Sequence, residues 1–181
     1  WLRRSHLKYI AQHDVKEIAL IHADGWRGRS VLCLMEARGI LALQIWGALR
    51  PIENLSTIEQ LKSLRYLRLQ LPWRTQPSID FAALPALTEC FLSWQPGFES
   101  IAASKSVKDL YLLEYSGKDV DLFRAMVQLT SLNIQESPVV SIEGLRALTA
   151  LAHLGLYWLR GLRDFSVLAE LPELESLEIE G

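Results

Sequence analysis

The feature that most restricts this chain is a six-residue pattern, L-x-x-L-x-L, that returns eight times along its 181 residues. It occurs as Val15/Ile18/Leu20, Ile40/Leu43/Ile45, Leu64/Leu67/Leu69, Leu87/Cys90/Leu92, Val107/Leu110/Leu112, Leu129/Leu132/Ile134, Leu151/Leu154/Leu156 and Leu174/Leu177/Ile179. The first positions are separated by 25, 24, 23, 20, 22, 22 and 23 residues. A unit of this length cannot bury an apolar face by itself, whereas stacked copies share one continuous core.

Each copy also changes its period. From Ile142 the apolar residues Ile142, Leu145, Leu148, Leu151 and Leu154 fall every third position, then close to a spacing of two at Leu156. That change predicts a 3₁₀ or short helical turn feeding a strand. The same third-position series precedes other strands, as Leu55, Ile58 and Leu61; Phe81 and Leu84; Phe98 and Ile101; Phe123 and Met126; and Phe165, Leu168 and Leu171. The fifth unit places Ser104 in an apolar slot and has the shortest repeat, which predicts a local distortion there.

These eight matches resemble the leucine-rich-repeat family, in the short class of about 22 residues seen in internalins and in the repeat-type regulator of protein phosphatase 1. The resemblance covers Val15 to Ile179. It implies an α/β right-handed solenoid, with a short parallel strand from each repeat on the concave face and 3₁₀ or short helical turns on the convex face. Residues 1–14, with apolar Leu2, Leu7, Tyr9 and Ile10, are expected to form an amphipathic capping helix. Residues 15–181 would then form a single solenoid domain of eight repeats. One family trait is missing. The slot three positions after the last strand leucine, where the family carries Asn or Cys, holds Ala23, Ala48, Pro72, Gln95, Tyr115, Ser137 and Leu159. Turn backbone groups must find other partners.

Composition narrows the setting. Half the residues are apolar and 22% are charged, a globular balance. No apolar run reaches the roughly 18 residues of a membrane span. Two cysteines, Cys33 and Cys90, are too few for a secreted disulfide framework. A reduced, cytoplasmic location is expected, with secretion or delivery as an effector left open. Residues 1–90 carry 12 basic and 8 acidic side chains and residues 91–181 carry 7 and 13, so the halves differ by sign, at +4 and −6. The acidic second half argues against a nucleic-acid contact along the whole molecule.

Strand alternation sorts the side chains. The second and third leucine slots point inward, so the third, fifth and seventh positions face outward. Trp46, Tyr66, Arg68, Phe91, Tyr111 and Leu113 fall on those outward columns over repeats two to five, and Tyr157 on the seventh repeat. Trp94 and Trp158, one position past a strand, are expected at the rim. Outward aromatic residues beside Arg, with Glu89, Asp109, Glu114 and His153 around them, have the composition of an interface centre. A register slip of one residue would turn all of them inward.

Catalytic patterns are missing. His6, His13, His22 and His153 show no zinc spacing, and no nucleophile elbow, phosphate loop or dinucleotide fingerprint occurs. Gly25-Trp26-Arg27-Gly28-Arg29 is basic and glycine-bearing, yet occupies a slot where every repeat needs a loop. The reading is a non-enzyme without metal or cofactor that binds another protein, as a monomer, through the aromatic face. A bacterial immunity or effector-type role fits that class. The alternative is glycan or small-ligand recognition on the same face, with Gln44, Gln70, Asn133 and Gln135 as hydrogen-bonding neighbours.

Overall fold

A computed structural model describes residues 4–37, 39–72, 75 and 77–181. A helix, α1, runs over Arg4–Gln12. Eight strands follow: β1 (Glu17–Ile21), β2 (Ala42–Trp46), β3 (Tyr66–Leu69), β4 (Glu89–Ser93), β5 (Asp109–Leu113), β6 (Ser131–Gln135), β7 (His153–Tyr157) and β8 (Ser176–Glu180). Each begins at the third position of its template and ends at the seventh, except β3, which stops one residue earlier. Leu2, counted in the expected capping helix, lies outside the described residues. No helix among the described residues is long and apolar enough to cross a membrane.

The third-position series forms the turns. Leu145 N–H donates to the Ile142 carbonyl at 3.0 Å, Leu148 to Leu145 at 2.8 Å and Leu151 to Leu148 at 3.0 Å. All four are buried. They are therefore both the hydrogen-bonded steps of a three-residue-per-turn helix and its eclipsed inner face. Val120, Phe123, Met126 and Leu129 repeat the arrangement with bonds of 2.9 to 3.0 Å, as do Ile58, Leu61 and Leu64 with two bonds of 2.9 Å. Phe165 and Leu168 of the last repeat are only half-buried.

The chain divides into two compact units, Trp1–Leu87 with Gln95–Ile101, and Thr88–Trp94 with Ala102–Gly181. In the first unit β1, β2 and β3 pair in parallel, Ile18 opposite Leu43 and Leu43 opposite Leu67. Ile18, Leu20, Leu43, Ile45, Leu67 and Leu69 are buried, with Phe81 meeting Phe98 edge-on at 5.8 Å. In the second unit β4 to β8 pair in parallel in sequence order, with Leu110, Leu132, Leu154 and Leu177 in one register row. Leu177 and Ile179 are 43% and 55% exposed, while the equivalent slots of the other seven repeats are buried.

In the fifth unit the strands are undisturbed, β4 and β5 pairing through all five residues, and the departure is confined to the turn, where Val107 N–H bonds to the Ser104 side chain and not, as Leu129 does to Met126, to a carbonyl. Ser104 fits the core because its polar groups are used: its hydroxyl accepts from Val107 N–H at 3.4 Å, and its carbonyl accepts from Gln128 Nε2 at 3.0 Å. The missing Asn row is likewise replaced, mostly by backbone. Two successive N–H groups open β2, β3 and β5 to β8 by sharing one carbonyl of the preceding repeat, as Thr130 and Ser131 do on Lys108 at 2.8 and 3.0 Å. At the other end, Glu114 donates to Gln135 O and Glu136 to Tyr157 O, both at 2.9 Å. Ser137, in one of the expected Asn slots, supplies a side-chain bond to a turn, its hydroxyl donating to Tyr115 O at 2.6 Å.

Leu132→Ala and Leu154→Ala should each lower the unfolding free energy by about 2 to 5 kcal/mol in urea titrations, because both leave cavities in a fully packed row. Val127→Ala, at a position 56% exposed, should stay within about 0.5 kcal/mol of the parent.

Candidate binding surface

The outward columns lie where alternation places them, and each unit carries its own aromatic group. In the first unit, β2 and β3 set Gln44 beside Arg68, and the Arg68 guanidinium carbon stands 5.5 Å from the centroid of the Trp46 ring. This is a cation–π distance. Tyr66, at the start of β3, and both of these residues are half-buried.

In the second unit Phe91 and Tyr111 occupy directly paired positions of β4 and β5. Direct pairing brings their rings into a stack, with centroids 4.5 Å apart and planes 12° from parallel. The Tyr111 hydroxyl donates to Gln135 Oε1, and Gln135 Nε2 in turn donates to Glu136 Oε1 at 3.2 Å. Leu113 is half-buried at the end of β5.

Tyr157 does not stand up from the strands. Gly155, two residues before it on the same face, leaves a gap that the Tyr157 ring and the Asn133 amide fill; a Cβ there would collide with Asn133 Oδ1 and lie 2.6 Å from Tyr157 Cε2. Lying flat, Tyr157 reaches across to β8 and donates to Glu178 Oε2 at 2.6 Å. Its phenol is pushed up to about 12, chiefly by that hydrogen bond, then by partial desolvation and the charge of Glu178.

Trp94 and Trp158 occupy equivalent slots and diverge. Trp94 is a correction to the rim assignment, being buried in the second unit's core. It meets Tyr115 edge-on at 4.8 Å and Phe123 at 6.3 Å. Tyr115 fits because Gly117 leaves space under its hydroxyl, which a Cβ would strike. Trp158 instead takes φ +55°, in the left-handed region that Glu114 and Glu136 also adopt one position past their strands. That backbone turns its ring outward, 39% exposed. Local dihedrals decide the matter, and the repeat pattern does not report them.

Sequence reading missed two grooves formed by the loops that follow strands. One, of about 700 Å³, opens beyond β6 and β7 in the second unit and is lined by Trp158 with Pro138, Val140, Lys118 and Arg160. The other, of about 340 Å³, lies beyond β1 and β2 in the first unit and includes His22, Arg27, Arg29 and Arg50. The only signal in the sequence was the basic loop Arg27-Gly28-Arg29, whose second wall is contributed by Ala48-Leu49-Arg50 of the next repeat. Among the described residues, no three His, Cys, Asp or Glu side chains come together as a metal site.

No protein-family model matches the sequence, and no curated protein matches it. Solved structures do resemble it. Internalin C2 of Listeria monocytogenes superposes with a TM-score of 0.68 at 22% identity, over 82% of this chain and 65% of that one. Internalin F of the same organism gives 0.54 at 19% identity, over 82% of this chain and 43% of that one. This chain therefore spans just under two thirds of the first and less than half of the second. At these identities the likeness is one of fold, and the fold is the leucine-rich-repeat solenoid.

Trp94→Ala should cost about 3 to 5 kcal/mol of stability by chemical denaturation, as a core aromatic does, whereas Trp158→Ala should change it by no more than about 0.5 kcal/mol. Tyr157 provides a pH test. Its folded value lies above the roughly 10 of free tyrosine, so its contribution to stability is complete below about pH 10 and is lost as pH rises toward about 12. In an absorbance titration of tyrosinate, Glu178→Gln should move one step from near 12 down toward 10.

Proposed function

We propose that this leucine-rich-repeat chain is a non-catalytic module that holds another protein against the outward faces of its strands. Trp46, Tyr66 and Arg68 would supply the contact in the first unit, and Phe91, Tyr111 and Leu113 in the second. The observation that carries the reading is the Phe91–Tyr111 stack, two aromatic faces set 4.5 Å apart by directly paired strands. Side chains already fixed by a paired sheet lose little freedom when a partner covers them, which is how rigid aromatic surfaces gain affinity. Trp, Tyr and Arg are also the residues that dominate binding energies at interface centres.

Glycan recognition on the same face is the weaker reading. It needs free amides beside the rings, and Gln135 is engaged by Tyr111 and Glu136. The proposal includes a cytoplasmic setting, in which Cys33 and Cys90 stay reduced.

The test begins with affinity purification of the tagged chain from its native host, followed by calorimetry with the recovered protein. Tyr66→Ala and Tyr111→Ala should each weaken that complex by more than about 1 kcal/mol while lowering stability by much less than Leu132→Ala or Leu154→Ala does. A recovered partner that binds both variants as tightly as the parent would remove the strand faces from the interface. Glycan-array binding that disappears in Trp46→Ala, with no protein recovered, would transfer the assignment to the glycan reading.

A further inference from the structure

The basic loop after β1 is not used by the strand face, and its geometry gives it a separate role. β1 continues through His22, whose N–H donates to Trp46 O at 3.3 Å. The chain then turns sharply: Gly25 N–H donates to His22 O and Trp26 N–H to Ile21 O, both at 3.1 Å, with Gly25 at φ +96°. Trp26 folds back over Gly28 so closely that a Cβ there would come within 2.6 Å of its indole nitrogen. Glycine at 28 therefore permits the compact loop. The opposite wall, Ala48-Leu49-Arg50, follows Gly47, which takes φ +71°.

Between these walls lies the pocket of about 340 Å³, at the small end of ligand sites. Its lining holds Arg27, Arg29, Arg50 and His22, and no carboxylate. Arg27 is oriented by its own backbone, Nη1 donating to His22 O at 2.5 Å and Trp26 O at 3.3 Å. Arg29 and Arg50 make no side-chain hydrogen bond or ion pair among the described residues. Three guanidinium groups around one small space repel one another, and no acid among the lining residues offsets this. The nearest acids along the chain, Asp24 and Glu53, are not part of the lining.

We propose that this pocket binds a phosphoryl group, held by Arg27, Arg29 and Arg50 with His22 as a further donor. Guanidinium forks match the oxygens of a phosphate in pairs, and a dianion offsets several positive charges where a single carboxylate offsets one. Leu49, 77% exposed on the wall beside Arg50, would contact whatever carries the group. The same chemistry is offered by a free phosphate and by a phosphorylated side chain of another protein.

Backbone-amide NMR titrations of the whole chain with inorganic phosphate and with a phosphoserine peptide test the site. Either probe should shift the amides of residues 22–29 and 48–50. Arg29→Gln and Arg50→Gln should each weaken binding by about tenfold, with amide spectra elsewhere unchanged, since both side chains are exposed. Tighter binding of the peptide identifies a protein-borne phosphate, and tighter binding of the inorganic ion a free one. The proposal is overturned if neither probe shifts these amides, if both variants bind like the parent, or if acetate binds as tightly as phosphate.

Discussion

Everything in this molecule depends on one coincidence of periods. A 3₁₀ helix repeats every three residues, and a strand alternates every two. Ile142, Leu145, Leu148 and Leu151 lie on the first period, and Leu154 and Leu156 follow on the second. Both series face the same interior, so the backbone changes conformation without the apolar line leaving the core. The hydrogen bonds follow the same residues: each turn leucine donates to the apolar residue three before it. Burial and backbone satisfaction are achieved by one set of positions, which is why a short unit tolerates such varied residues elsewhere.

That coincidence also explains what the sequence disclosed. Strand limits were legible to within one residue, β3 alone among the eight stopping short of the template's end, because the template marks both the entry and the inward positions. Outward columns followed from alternation. The two tryptophans did not follow, since Trp94 and Trp158 share a template slot and differ in φ, a variable with no periodic trace in the chain. Ser104, a polar residue in an apolar slot of the shortest repeat, marks a departure that stays within its turn: its buried hydroxyl and carbonyl have partners and cost the core little, whereas orphaned ones would have disturbed the strands as well. Tyr157 sits on an outward column, but Gly155 beside it opens a place for the ring to lie flat.

The grooves were beyond sequence reading for a different reason. Each is formed by loops from consecutive repeats, so its chemistry is shared between segments one repeat apart. A basic stretch such as Arg27-Gly28-Arg29 is ordinary on a surface. Arg50 on the facing wall, with no acid between, makes it a concentration of charge.

The slot where related repeats carry Asn is where this chain has changed its strategy. Asn there would hold the turn by a side-chain hydrogen bond and contribute little to the core. Here Tyr115, Leu159 and Ser137 are buried in those slots, with Ser137 bonding to a turn. The turns are held by main-chain bonds to the next repeat, which any residue type can make. Freed from that duty, the slot carries aromatic and aliphatic bulk, and the Trp94–Tyr115–Phe123 group is the result. The interior thus extends from the strands into the loops. A rigid loop base of this kind can hold exposed side chains such as Trp158 in one conformation, so the loops as well as the strands are suited to present a fixed surface.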